Sequence, residues 1–258
     1  MITSFLQGGL GNQLFQISAA VSLALENNDE SVFDVESHDL PLQGRKCKNY
    51  LKTIFRNLTF SSQLPVKYIY REPHFHYKKI EYMTDSCLVG YFQSEKYFEK
   101  HADHIKKIFS IDEETKKIID QKYGEILKNK PVAVHVRRGD YLKLSNVHPP
   151  CTIEYYKEAL ASFPNNTTFL LVSDDIPWCK KNFMQDNFVF AEENEDIVDF
   201  YLISLCNGAI ISNSSFSWWA SWLIENDDKK IISPKKWFGP GIKHNTEDLI
   251  PFKWETLE

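Results

Sequence analysis

From Pro131 to the end of the chain, short apolar runs alternate with amphipathic stretches about five times. PVAVHV (131–136), TFLLVS (168–173), NFVFA (187–191), GAIIS (208–212) and KKIISP (229–234) read as strands. Between them IEYYKEALASF (153–163), IPWCKKNF (176–183), EDIVDFYLISLC (195–206) and FSWWASWLIE (216–225) read as helices, with Thr152 placed to cap the first. Alternation of this kind predicts parallel strands with helices on both faces. The strands are apolar throughout, as strands covered on both faces must be. No other feature of the chain narrows the fold so far.

In an open α/β sheet, ligands bind beyond the carboxyl ends of the strands. Three polar clusters fall on that edge. His135, Arg137, Arg138 and Asp140 lie in HVRRGDY, at the end of the first strand of this half. Ser173, Asp174 and Asp175 follow the second. Ser212, Asn213, Ser214 and Ser215 follow the fourth and open a helix at Phe216. A helix start carries unpaired N–H groups and partial positive charge, so it suits phosphate. Two arginines beside it can clamp the same anion. The plain alternative is that Asn213 or Ser214 caps a helix and does nothing more.

A diphosphate held this way suits the leaving group of a sugar nucleotide, because fixed arginines stabilise the charge that develops as the sugar bond breaks. No D-x-D triplet is present, only the adjacent pairs Asp174-Asp175 and Asp227-Asp228. The expectation is therefore a reaction without a metal cofactor. The formal net charge of −5 gives nucleic acid no general attraction, so any anion site is local.

The first half is less regular. ITSFL reads as a strand leading into GGLGNQLFQ (8–16), with a helix from about Asn12 to Glu26. The glycines do not complete a dinucleotide fingerprint, since Leu14 stands where the third glycine belongs. The backbone at Gly8, Gly9 and Gly11 still permits close approach of a ligand, and Asn12 can offer its amide. A glycine turn capped by Asn12 is the ordinary alternative. SVFDV (31–35) and CLVGYF (87–92) are strand candidates, and 95–108 and 112–128 helix candidates. Residues 38–80 are interrupted by Pro41, Pro65 and Pro73. The basic run 45–57 reads as a solvated helix rather than a membrane contact. His74 and His76 alternate as on a strand face, but a third metal ligand is missing. Trp218, Trp219 and Trp222 have helical spacing and read as core. The expected boundary lies near Asn129–Lys130, giving an α/β domain at 1–129 and a Rossmann-like domain at 130–258.

Taken together, GGLGNQLFQ, HVRRGDY, SDD (173–175), DIVDFYLISLC (196–206) and ISNSSFSWWASWL resemble the alpha-1,2-fucosyltransferases, glycosyltransferase family eleven. The matches occur in order and span most of the chain. The resemblance implies a GT-B-like α/β fold, with two Rossmann-like domains facing a cleft and the C-terminal one a doubly wound parallel sheet. It implies GDP-fucose as donor and a galactose-terminated oligosaccharide or glycolipid as acceptor. Transfer would go to the 2-hydroxyl with inversion, and would require no metal.

Carried onto this chain, the resemblance gives Arg137, Asn12 and Asp140 catalytic roles. Arg137 would meet the β-phosphate and Arg138 support it, while His135 and Asp140 orient their loop. Gly9, Gly11, Asp175, Asp199, Asn213, Ser214, Ser215 and Phe216 complete the donor-binding set. An inverting transfer also needs the acceptor proton removed as the hydroxyl attacks; no residue is assigned to that step. Scattered cysteines, five in number, and the lack of a signal peptide or an apolar run of about 20 residues point to a cytoplasmic protein. Peripheral contact with the inner face of a bacterial membrane is a further expectation. The competing readings are a fucosyltransferase of another linkage and a nucleotide- or carbohydrate-binding protein without activity.

Overall fold

In the computed structural model, residues 1–34 and 47–258 are described. They form two compact units, Met1–Asp112 with His244–Pro251, and Glu113–Lys243 with Phe252–Glu258.

The first unit contains β1 (Ile2–Ser4), α1 (Leu10–Glu26), β2 (Phe33–Asp34), β3 (Phe60–Ser61), β4 (Tyr68–Arg71), β5 (Ser86–Val89) and α2 (Ala102–Ile108). Strands β1, β5 and β4 form a parallel sheet in that order, and β2 pairs with β3. Helix α1 is buried almost throughout and carries Leu14, Phe15, Ile17 and Ala20 into the core. It starts at Leu10 with Gly9 at the N-cap, so Asn12 sits inside the first turn instead of capping it. The expected strand 87–92 ends at Val89. The carboxylate of Glu72 then accepts the backbone N–H groups of Tyr91 and Phe92 at 2.7 and 3.0 Å, which takes them out of any ladder.

The second unit contains α3 (Glu113–Lys128), β6 (Val132–Val136), α4 (Ile153–Ala161), β7 (Phe169–Ser173), α5 (Ile176–Asn182), β8 (Phe188–Phe190), α6 (Asp196–Ser204), β9 (Gly208–Ile210), α7 (Ser215–Trp222), β10 (Ile231–Pro234) and β11 (Glu255–Leu257). Its six strands are parallel and ordered β11-β10-β9-β6-β7-β8. The chain winds outward from β6 to β8, then returns to the other side of β6 and winds outward again. This is the doubly wound sheet that the alternation predicts, and its switch point lies between β6 and β9. Val134 and Val136 pack with Tyr155, Tyr156 and Cys179 of α4 and α5. His135 points to the opposite face, where its ring lies 5.6 Å from that of Phe216 on α7. Helices therefore cover both faces.

The units part after Asp112 and not near 129–130. Helix α3 belongs with the second unit because it packs on α6 and the loop before it. The hydroxyl of Tyr123 donates to the side chain of Asn194 at 3.1 Å. Of the basic run 45–57, residues 45–46 lie outside the described residues. The remainder is one 3-10 turn, Cys47–Tyr50, followed by turns that bury Ile54 and Phe55. His74 and His76 lie in a loop with their rings stacked 3.6 Å apart, so their alternation does not mark a strand. Trp218 and Trp219 are fully buried, as their spacing predicts. Among the described residues, no helix is long and apolar enough to cross a membrane.

Candidate functional site

The switch point of the second sheet brings the HVRRGDY loop and the serine cluster together. β6 and β9 are neighbours, so their carboxyl ends open side by side. His135 Nδ1 lies 2.8 Å from Ser212 Oγ, bridging the two strand ends beneath the surface. Burial pushes the imidazole down to about 3, with Arg137 adding to the effect, so it is neutral at ordinary pH. Above this pair, Tyr141 donates to the carbonyl of Asn213 at 3.1 Å. The Arg137 guanidinium sits 5.5 Å from the Tyr141 ring centre. The turn into α7 is thereby linked to the arginine loop through Tyr141.

The two arginines have different surroundings. Arg137 is 36% exposed and is held by Asp140 at 2.7 Å and Asp174 at 3.1 Å. Arg138 is 19% exposed; its Nε donates to Asp175 at 3.1 Å, and its guanidinium lies 4.2 Å from the centre of the Trp178 ring. The backbone N–H of Arg138 also donates to Asp174. Gly139 is needed here: a Cβ would lie 2.6 Å from the Asp174 carboxylate. Asp175 caps α5 by accepting from the Trp178 N–H, so it serves both helix and arginine.

Around α7 the predicted donor residues divide. Asn213 is almost fully buried, and its amide donates to the carbonyls of Pro149 and Trp237. It works inside the scaffold and shapes the turn. Ser214 is the N-cap residue but makes no side-chain capping bond. Ser215 and Phe216 form the first turn of α7 and are only partly covered. Phe216 packs edge-on against Phe200 of α6. On the same helix Asp199 accepts from the Asn194 amide at 2.8 Å. Burial raises its carboxyl to about 6, against the lowering effect of that hydrogen bond.

In the first unit, the glycine-rich loop follows β1. The glycine whose conformation is special is Gly8, with φ of +76°. A Cβ there would also lie 2.4 Å from Asn12 Nδ2. A Cβ on Gly9 would meet nothing within 4 Å, so open space lies beside it, while Gly11 is buried in the first turn of α1. Gln13 Nε2 donates to the Gly8 carbonyl, and Gln16 exchanges two hydrogen bonds with the backbone of Gln7. Asn12 Oδ1 accepts from Gln93 Nε2 at 2.7 Å. Sequence reading missed Tyr141, Trp178 and Gln93. Tyr141 and Trp178 sit inside or beside segments already singled out, whereas nothing in the sequence connects Gln93 with Asn12.

The sequence profile of Glycosyl transferase family 11 matches residues 1–257. An alpha-1,2-colitosyltransferase of Escherichia coli is 30% identical, with 100% of this chain and 99% of that protein covered. A galactoside 2-alpha-L-fucosyltransferase of Caenorhabditis elegans is 26% identical, with 100% of this chain and 79% of that protein covered. Among solved structures, fucosyltransferase NodZ from Bradyrhizobium shares the fold, with a TM-score of 0.59 at 14% identity over 88% of this chain and 96% of that one. The expected GT-B-like α/β class is borne out by that match and by parallel sheets in both units.

Proposed function

The chain belongs to glycosyl transferase family 11, and from that premise we propose that it transfers L-fucose from GDP-β-L-fucose to the 2-hydroxyl of a terminal galactose in a surface glycan. The observation that carries this reading is the pairing of Arg137 with the start of α7 across the β6/β9 switch point. The α1,2 linkage is supported by the name of the 30% identical relative, an alpha-1,2-colitosyltransferase, and the fucosyl group by that of the 26% identical one.

In this reading the diphosphate sits between Arg137 and the first turn of α7. Asp174 holds the Arg137 guanidinium, and Asp140 holds it from the more exposed side. Charge builds on the β-phosphate as the bond to C1 of the sugar breaks, and Arg137, positioned by Asp174, meets it. The 2-hydroxyl attacks from the opposite face and loses its proton as its bond to C1 forms and GDP leaves, which inverts the β-linked donor to an α-linked product. Arg138, sandwiched between Asp175 and Trp178, sets the loop that carries Arg137. Through Asn12 the glycine-rich loop donates a hydrogen bond to the substrate. The arginines supply the positive charge, so we expect turnover to persist without a metal ion.

A second reading concerns the sugar. The 30% identical relative is named for colitose, which lacks one hydroxyl that fucose has. Both readings share the nucleotide and the linkage. The test is to incubate purified protein with GDP-fucose or GDP-colitose and a panel of β-galactosides, with and without EDTA, and to determine the linkage of the product by NMR. Fucosylation at the 2-hydroxyl in EDTA is the expected result. Absence of transfer from GDP-fucose alongside transfer from GDP-colitose selects the second sugar. Absence of transfer from either refutes the proposal.

A further inference from the structure

Asn12 carries an amide with two chemically opposite ends, and the fold fixes which end faces which way. Gln93 Nε2 donates to Asn12 Oδ1 at 2.7 Å. Gln93 is 7% exposed, so the donor end of this bond is shielded from competing water. With the carbonyl end engaged by Gln93, Asn12 Nδ2 lies over Gly8, at the spot where a Cβ on Gly8 would be 2.4 Å away.

The loop that bears Gln93 is itself held from several directions. Glu72 takes the N–H groups of Tyr91 and Phe92. Gly90 leaves room for Glu72, since a Cβ there would lie 2.3 Å from the Glu72 side chain. Phe92 has φ of +51° and a fully buried ring. Gln16 Nε2 donates to the carbonyls of both Gln7 and Gly90, at 3.3 and 3.1 Å. Loops 7–12 and 90–93 are thus tied together by Gln16 as well as by Gln93. This is more restraint than a glycine turn needs in order to enter a helix.

We propose that Gln93 is a positioning residue: it locks the Asn12 amide so that the glycine-rich loop presents an N–H donor, and not a carbonyl, to an oxygen of the nucleotide sugar. This rests on the reading that Asn12 meets the substrate. A glutamate at 93 has the same shape but accepts only, so the Asn12 amide must turn over to meet it.

The test is a double-mutant cycle on the full chain. Gln93→Glu is expected to lower kcat about tenfold, the size of one lost hydrogen bond in the transition state, with an unchanged melting temperature. In an Asn12→Ala background the same change is expected to cost nothing further. An equal loss in both backgrounds, or no loss in either, overturns the proposal. If Gln93→Glu does not fold, Gln93→Met removes the donor at similar length and is read the same way. The Asn12 side-chain amide signal in NMR reports the lock independently of activity. An unmoved signal in the variant overturns the lock, whereas a moved signal in a protein that transfers no sugar supports the lock and overturns the functional reading.

Discussion

Arg137 Nη1 lies 3.1 Å from Asp174 Oδ2, and the other oxygen of the same carboxylate accepts the backbone N–H of Arg138 at 2.9 Å. One carboxylate at the end of β7 therefore fixes both the side chain and the backbone of the arginine loop at the end of β6. The two arginines divide by environment: Arg137 is presented, while Arg138 is clamped between Asp175 and Trp178.

That division predicts different losses. Arg137→Ala is expected to weaken GDP binding by about 1.5–3 kcal/mol, the value of a charge-assisted hydrogen bond, with little change in melting temperature. Arg138→Ala removes a cation–π contact and a partly covered ion pair. It is expected to lower the melting temperature as well as the affinity. Calorimetric titration with GDP and a thermal melt of each variant separate the cases. Equal behaviour of the two variants contradicts the division.

Asp140 is the more exposed of the two carboxylates on Arg137, with 54% of its side chain accessible. An ion pair so open contributes about 0–1 kcal/mol to the fold. A diphosphate approaching Arg137 competes with it for Nη2. Asp140→Asn is accordingly expected to tighten GDP binding a few-fold, within that same range of free energy. A weakened affinity would instead make Asp140 an orienting group for Arg137.

Gly139→Ala tests the frame itself. The added methyl drives into the Asp174 carboxylate, which is held on both sides and cannot move without releasing Arg137 or the Arg138 N–H. The glycine is exposed, so the fold has room to relax. The melting temperature is expected to change little while GDP affinity falls as in Arg137→Ala. A variant that binds GDP normally shows that Asp174 is dispensable.

The second unit was legible because its strands are buried on both faces, and burial writes a continuous apolar run that stands out from amphipathic helices. The Thr152 cap is found as read, with its hydroxyl accepting from the Tyr155 N–H. The strands left unread are those without such a signature. β4 has three of its four residues exposed, Ile69 at 60%, and β11 pairs on one side only, with two of its three residues exposed. β3 has only two residues. Site residues followed the same logic. Clusters set by chain order at strand ends, such as Arg137 and Ser212, were visible. Gln93 became visible only with the fold, because its bond to Asn12 depends on where two distant loops meet. Asn213 shows the converse: its place in a polar cluster suggested a ligand contact, but burial gave its amide to two backbone carbonyls.

His135 and Asp199 set opposing pH dependences. Burial lowers the His135 pKa to about 3, so between that value and the ordinary histidine value near 6.5 the unfolded chain binds more protons. Stability is then lost as pH falls through this window. Burial raises Asp199 to about 6 from an ordinary 3.8, so between those values the folded chain binds more protons. Its contribution is full below about 3.8 and lost as pH rises through about 6, at a cost on the order of 3 kcal/mol at neutral pH. Between pH 4 and 6 the two slopes oppose each other. Asp199→Asn removes one of them and keeps a carbonyl to accept from Asn194, so its melting temperature is expected to fall more steeply with acid than that of the wild type, from a higher value at pH 7. His135→Asn removes the other, so its melting temperature is expected to fall less steeply with acid, whatever its starting level. Melts of the three proteins at pH 4, 5, 6 and 7 compare slopes directly, with every other titrating group held in common. Parallel curves for all three proteins would show that neither group titrates as its burial requires.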